Sequence, residues 1–213
     1  MPDLDFKVER AEVLEFAAAP SLRFTLRIDN RGGEPVRSVT LATQIRIAPA
    51  LRGYTPDEQD RLFDLFGDTR RWGSTLNSLL WTHTTLLVPP FVGSTVVDMP
   101  VPCTYDFEVV SAKYFHALAD GEVPLEFLFS GSVFYAGAAG LQVAQISWEK
   151  EAHFRLPVRL WKEMVDHYFP NSAWLRVRRD VFDRLSSYRS RHALPTWEAA
   201  IEGLLRAGEE VPA

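Results

Sequence analysis

Residues 21–50 read SLRFTLRIDNRGGEPVRSVTLATQIRIAPA, and the period of that stretch decides the fold. Leu22, Phe24, Leu26 and Ile28 alternate with Arg23, Thr25, Arg27 and Asp29. Further on, Val39, Leu41, Thr43, Ile45 and Ile47 alternate with Thr40, Ala42, Gln44 and Arg46. A period of two puts successive side chains on opposite faces of a strand, so each run has one apolar and one wet face. Between them, Asn30-Arg31-Gly32-Gly33-Glu34-Pro35 carries turn chemistry: Asn and Gly tolerate positive φ, and Pro35 cannot donate to a ladder. The expectation is a β-hairpin. Two strands alone are not stable, so a second sheet or helices must cover its apolar face.

Working outward, Leu4, Phe6 and Val8 alternate with Asp5, Lys7 and Glu9 and predict an earlier strand. Thr55 to Phe66 changes to helical spacing. Thr55 is the N-cap, Pro56 the first helical residue, Glu58 the partner in a capping box, and Gly67 the stop. Strand composition returns from Leu79 to Val101, broken at Pro89-Pro90 and halted by Pro100 and Pro102. Tyr105 to Val110 alternates again, whereas Ser111 to Leu118 reads equally as a helical turn or a continued strand.

Val123 to Tyr135 is apolar on both faces, which predicts a central strand covered on both sides. Ala136 to Gly140 is a small-residue turn, and Leu141 to Ile146 its partner strand. Phe154 to Leu156 gives the last strand. After Pro157 the pattern is helical: Trp161, Met164, Val165 and Tyr168 lie before Pro170. Trp174, Val177, Val181, Leu185 and Tyr188 follow a cap at Asn171 or Ser172. Trp197, Ile201, Leu204 and Leu205 follow a cap at Thr196.

Strands in a run and then helices in a run predict an α+β protein. Residues 1–156 form an antiparallel, immunoglobulin-like β-sandwich region with a short inserted helix near 55–66. Residues 157–213 form a C-terminal segment of about three helices. Trp161, Trp174 and Trp197 need outside surface to bury them, so the helices are expected to pack on the sheet.

Composition bounds the function. A chain of 213 residues with 46% hydrophobic and 24% charged residues can bury a sizeable core unaided. The net charge of −5 argues against nucleic acid or an anionic membrane as the main partner. No window approaches the roughly 18 apolar residues of a membrane span. One cysteine, Cys103, excludes an intrachain disulfide and a cysteine-based metal cluster. The start, Met1-Pro2-Asp3-Leu4-Asp5, lacks the basic and then apolar pattern of a signal peptide, and a cytoplasmic protein is expected.

Few residues suggest chemistry. Cys103, with His116 or His83, has the composition of a nucleophile–base pair, but free cysteine is more often a small buried hydrophobe. The five histidines, at 83, 116, 153, 167 and 192, fall at no metal-binding spacing, so neither a metal nor a cofactor is expected. The glycines match neither a phosphate loop nor a dinucleotide fingerprint, and Ser94 and Ser132 lack the full nucleophile elbow. Arg176, Arg178, Arg179 and Arg184, with Arg189 and Arg191, make a basic helix beside Trp174. Arginine forks suit carboxylates, so this surface is the candidate contact for a protein partner.

Several strings carry a resemblance: Arg27-Ile28-Asp29-Asn30, Trp81-Thr82-His83-Thr84, Pro102-Cys103-Thr104-Tyr105-Asp106, Ser111-Ala112-Lys113-Tyr114-Phe115 and Tyr168-Phe169-Pro170-Asn171-Ser172-Ala173-Trp174. Across nearly the whole chain they resemble an uncharacterised bacterial family associated with the gene clusters of nickel–iron uptake hydrogenases. The resemblance implies an accessory protein for hydrogenase assembly, maturation or electron transfer, with a hydrogenase component as partner. The lack of cysteine pairs removes an iron–sulfur carrier of the Cys₄ kind.

The reading is therefore a non-enzymatic adaptor that binds another protein. Two alternatives stay open: a hydrolase or transferase using Cys103 with a nearby histidine, and a sandwich that binds a small molecule or glycan. The oligomeric state is not legible.

Overall fold

A computed structural model describes residues 1–103, 109–137, 140–170 and 176–209. The strands are β1 (Leu4–Val13), β2 (Ser21–Asn30), β3 (Val36–Ile47), β4 (Leu79–Val88), β5 (Ser94–Pro102), β6 (Glu122–Gly137), β7 (Gly140–Gln145) and β8 (Glu151–Pro157). The helices are α1 (Pro56–Arg61), α2 (Phe63–Phe66), α3 (Trp72–Thr75), α4 (Val110–Ala117), α5 (Val158–Tyr168), α6 (Arg179–Arg191) and α7 (Trp197–Glu209).

The alternation at 21–50 yields two strands but no hairpin. β2 pairs β1 and β5 in a three-stranded antiparallel sheet, and β3 pairs β4 and β6 in a second one. The segment between them arches from one sheet to the other, with Asn30 Nδ2 donating to Glu34 O at 2.7 Å. Alternation dictates which face of a strand is apolar and is silent about its neighbours. The apolar faces of the two runs therefore meet as opposite walls of one core. Leu22, Phe24, Leu26 and Ile28 point into it from β2, and Val39, Leu41, Ile45 and Ile47 from β3, all fully buried.

The second sheet runs β4-β3-β6-β7, with β8 pairing the lower half of β6. β6 is central, as its two-sided apolar pattern predicts. Gly131 of β6 pairs Leu41 of β3 and lies close against its backbone: it has φ +134°, and a Cβ there would lie 2.0 Å from Thr40 O. Only glycine fits that combination.

The capping box forms as read: Thr55 Oγ1 accepts from Glu58 N, and Thr55 N donates to Glu58 Oε2 at 3.0 Å. Gly67, with φ 70°, ends α2. The ambiguous stretch at 111–118 is helical, as α4. The alternation expected over Tyr105–Val110 falls largely on 104–108, outside the described residues, as does the cap expected at Asn171 or Ser172.

The chain divides into two units, Met1–Trp174 and Leu175–Ala213. Helical structure begins at Val158, but α5 belongs to the same unit as the strands. Its Trp161 stacks on Phe115 of α4 with ring centroids 5.3 Å apart, and Met164 and Val165 are buried beneath it. Tyr168 closes the far end by donating to Ala17 O at 2.9 Å. In the second unit α6 and α7 pack on each other. Phe182 meets Trp197 at 5.1 Å, and the Arg189 guanidinium lies 4.0 Å over the Trp197 ring. Thr196 caps α7, its Oγ1 accepting from Ala199 N at 3.1 Å.

Candidate functional site

Cys103 follows β5 at the edge of the three-stranded sheet. Its side chain is 6% exposed, and the thiol donates to Val101 O at 3.4 Å. Burial pushes the thiol pKa up to about 12, against a weak opposing hydrogen bond at Leu22. The thiolate is the nucleophile, so at neutral pH this sulfur lacks both charge and access. His83 lies exposed on β4 of the other sheet, opposite Gln44. His116 is on an exposed position of α4, its pKa lowered by partial burial and by Arg61 and Lys162. Cys103 and His83 thus lie on different sheets, and the buried sulfur offers a base neither charge nor access. Among the described residues no group of three or more His, Cys, Asp or Glu could hold a metal ion.

The most built polar constellation is one that the sequence showed only as a capping box. Glu58 is 2% exposed and Arg52 is 9% exposed, and they form an ion pair at 3.2 Å. Glu58 also accepts from Ala119 N at 2.8 Å. Arg52 donates to Gly53 O at 3.1 Å and Asp120 O at 3.2 Å, and its guanidinium lies 4.9 Å over Tyr54. Tyr54 and Tyr114 share a 2.8 Å hydrogen bond, and burial raises the pKa of both phenols.

Burial by itself raises the Glu58 pKa, but the N–H groups of Ala119 and Thr55 and the Arg52 guanidinium outweigh it, and the net direction is downward. A depression of about 390 Å³ opens beside Arg52, Tyr54, Glu58 and Asp120. Both Glu58 oxygens are already occupied by donors, so the carboxylate has no free position from which to take a substrate proton. The cluster is a clamp that ties α1 to the turn between α4 and β6. The capping box is visible in sequence but the clamp is not, because Ala119 and Asp120, which complete it, lie 61 residues from Glu58 and 68 from Arg52.

The third constellation is the surface of the α6–α7 unit. Arg176 and Arg178 precede α6 rather than lying on it; with Arg179 and Arg184 they are exposed. Arg178 pairs with Asp180 at 3.1 Å. Trp174 lies outside the described residues. Arg184 edges an apolar groove of about 840 Å³ formed between the helices, floored by Val181, Leu185, Tyr188, Ile201, Leu204 and Leu205. Leu205 is 62% exposed, and Val181, Phe182, Ile201 and Leu204 are exposed as well. Large apolar side chains gathered in one exposed patch mark a contact surface more often than chance does.

Fold and surface together define an α+β sandwich protein with an appended amphipathic helix pair. The chain belongs to the family of unknown function DUF6084, which matches residues 1–213. No curated protein matches it. Among solved structures it is similar to the CARDB domain of a Pyrococcus furiosus protein in complex with di-metal ions. That likeness has 12% identity and a TM-score of 0.30, over 73% of this chain and 87% of that one. It is also similar to a Bordetella pertussis protein assigned as ApaA, at 12% identity and a TM-score of 0.29, over 73% and 93% of the two chains. Likenesses this distant carry no functional argument. No described helix is long and apolar enough to cross a membrane.

Proposed function

We propose that this chain is a non-enzymatic accessory protein that binds another protein through its C-terminal helix pair. The observation that carries the reading is the run of exposed arginines that opens this unit, Arg176, Arg178 and Arg179, beside the exposed apolar surface of α6 and α7. Apolar side chains supply contact area, and arginine forks supply bidentate contacts to carboxylates at its edge. The buried, protonated thiol of Cys103 favours this reading over a cysteine-based enzyme. The resemblance of its sequence strings to hydrogenase-associated proteins makes a nickel–iron hydrogenase component, during assembly or maturation, the partner to try first.

The test is binding of purified hydrogenase subunits to the full chain and to a variant with Arg176→Glu, Arg178→Glu and Arg179→Glu. The expected result is binding that weakens with salt and falls at least tenfold in the variant. Equal binding by both chains, or none by either, overturns the proposal.

A further inference from the structure

We infer that the apolar groove between α6 and α7 is occupied by the same groove of a second copy of this chain, making a two-fold dimer through the helix pairs. The inference rests on the reading of this unit as a binding surface and assigns the groove to a second copy, which leaves Arg176, Arg178 and Arg179 outside it for the partner.

The first argument is size. The unit spans Leu175–Ala213, and Ala200 is its one fully buried hydrophobic side chain among the described residues. Units under about 40 residues do not bury enough surface to stand alone, and oligomerisation is one of the usual remedies. Val181, Leu185, Ile201, Leu204 and Leu205 form one continuous apolar strip that two helices by themselves leave open.

The second argument is charge, and it selects the partner. α6 carries four arginines against two aspartates, and α7 three glutamates against one arginine. A two-fold axis through the groove lays the basic α6 of one copy along the acidic α7 of the other, and does so twice, because an isologous interface repeats every contact. Arg184 and Arg191 line the groove with Asp183, and Glu198 and Glu202 lie one helical turn before the groove residues Ile201 and Leu205, so the two-fold arrangement pairs these arginines with those glutamates of the second copy. An acidic protein partner is attracted to the arginines ahead of α6, outside the groove, and not to the glutamates of α7. A second copy is complementary to both.

The test is the solution mass of the full chain by light scattering across a dilution series, with four variants. Wild type is expected at twice the chain mass, and Leu204→Glu at the chain mass, with unchanged helicity by circular dichroism. The charge variants make the test specific. A chain with Arg184→Glu and Arg191→Glu has two acidic helices; a chain with Glu198→Arg and Glu202→Arg has two basic ones. Each alone is expected to self-associate at least tenfold more weakly than wild type, and an equimolar mixture to recover the dimer, which also shows that both fold.

A monomeric wild type overturns the inference, as does a dimer indifferent to Leu204→Glu or a mixture no tighter than its components. The Arg176, Arg178 and Arg179 variant lies outside the groove and is expected to keep wild-type mass. Loss of partner binding and loss of the dimer are thereby read separately.

Discussion

Phe24 of β2 and Phe127 of β6 meet edge to face with ring centroids 5.3 Å apart, each anchored in a different sheet. Phe24 also turns its ring toward Trp81 of β4 at 6.2 Å and Phe154 of β8 at 5.9 Å. One side chain of the three-stranded sheet thus touches three strands of the other. Edge-to-face pairs of this kind add about 0.5–1.5 kcal/mol to the burial of the rings themselves. Phe24→Ala is expected to lower unfolding free energy by about 3–5 kcal/mol. Urea unfolding followed by tryptophan fluorescence measures it, and a loss under about 1 kcal/mol would mean that the sheets do not meet through this ring.

Glu58, 2% exposed at the wall of a surface depression, is held charged by its donors, and its pKa lies below the ordinary value. A carboxyl whose folded pKa is depressed stabilises the fold fully above its unfolded value, about 4.3, and that contribution drains away as pH falls through the folded pKa. Glu58→Gln is expected to cost about 3 kcal/mol at neutral pH, because it leaves Arg52 buried without a counter-charge. Below pH 4.3 the unfolding midpoint of wild type should fall more steeply than that of the variant. Parallel pH profiles for the two proteins would show that Glu58 is not depressed.

Thr43 lies in the middle of β3, 1% exposed, and its Oγ1 has no hydrogen-bond partner among the described residues. An unsatisfied buried hydroxyl costs about 1–3 kcal/mol. Thr43→Val keeps the shape and removes the hydroxyl, so a gain of about 1 kcal/mol is expected, raising the thermal midpoint by about 2–4 °C. A lower midpoint in calorimetry would mean that the hydroxyl is satisfied in solution.

Cys103 should be inert in the native protein. With its thiol buried and its pKa pushed up to about 12, reaction with an aromatic disulfide reagent at neutral pH is expected to wait for unfolding and then to go to completion. Rapid labelling of folded protein would return Cys103 to the set of candidate nucleophiles.

Much of this architecture is local and therefore legible in sequence. The period-two runs of β2 and β3, the two-sided apolar run of β6, the Thr55–Glu58 capping box and the Thr196 cap each depend on residues within a few positions of one another. Backbone geometry converts such short-range patterns directly into faces and ends. Local pattern does not set pairing, and the hairpin expected at 21–50 does not form. Strand pairing is a contest among all strands, and β2 found β1 and β5 while β3 found β4 and β6.

What the sequence by itself determined about this protein is its set of apolar faces, the helix starts at Thr55 and Thr196 and its C-terminal helical part, because each follows from side-chain direction along a few residues. The tertiary structure alone decided which faces became opposite walls of a core. It also buried Cys103, set His83 on the other sheet, and joined Glu58 to Ala119 and Arg52 to Asp120. Those outcomes turn on distance between residues far apart in the chain, and sequence spacing carries no measure of that distance until the sheets have closed.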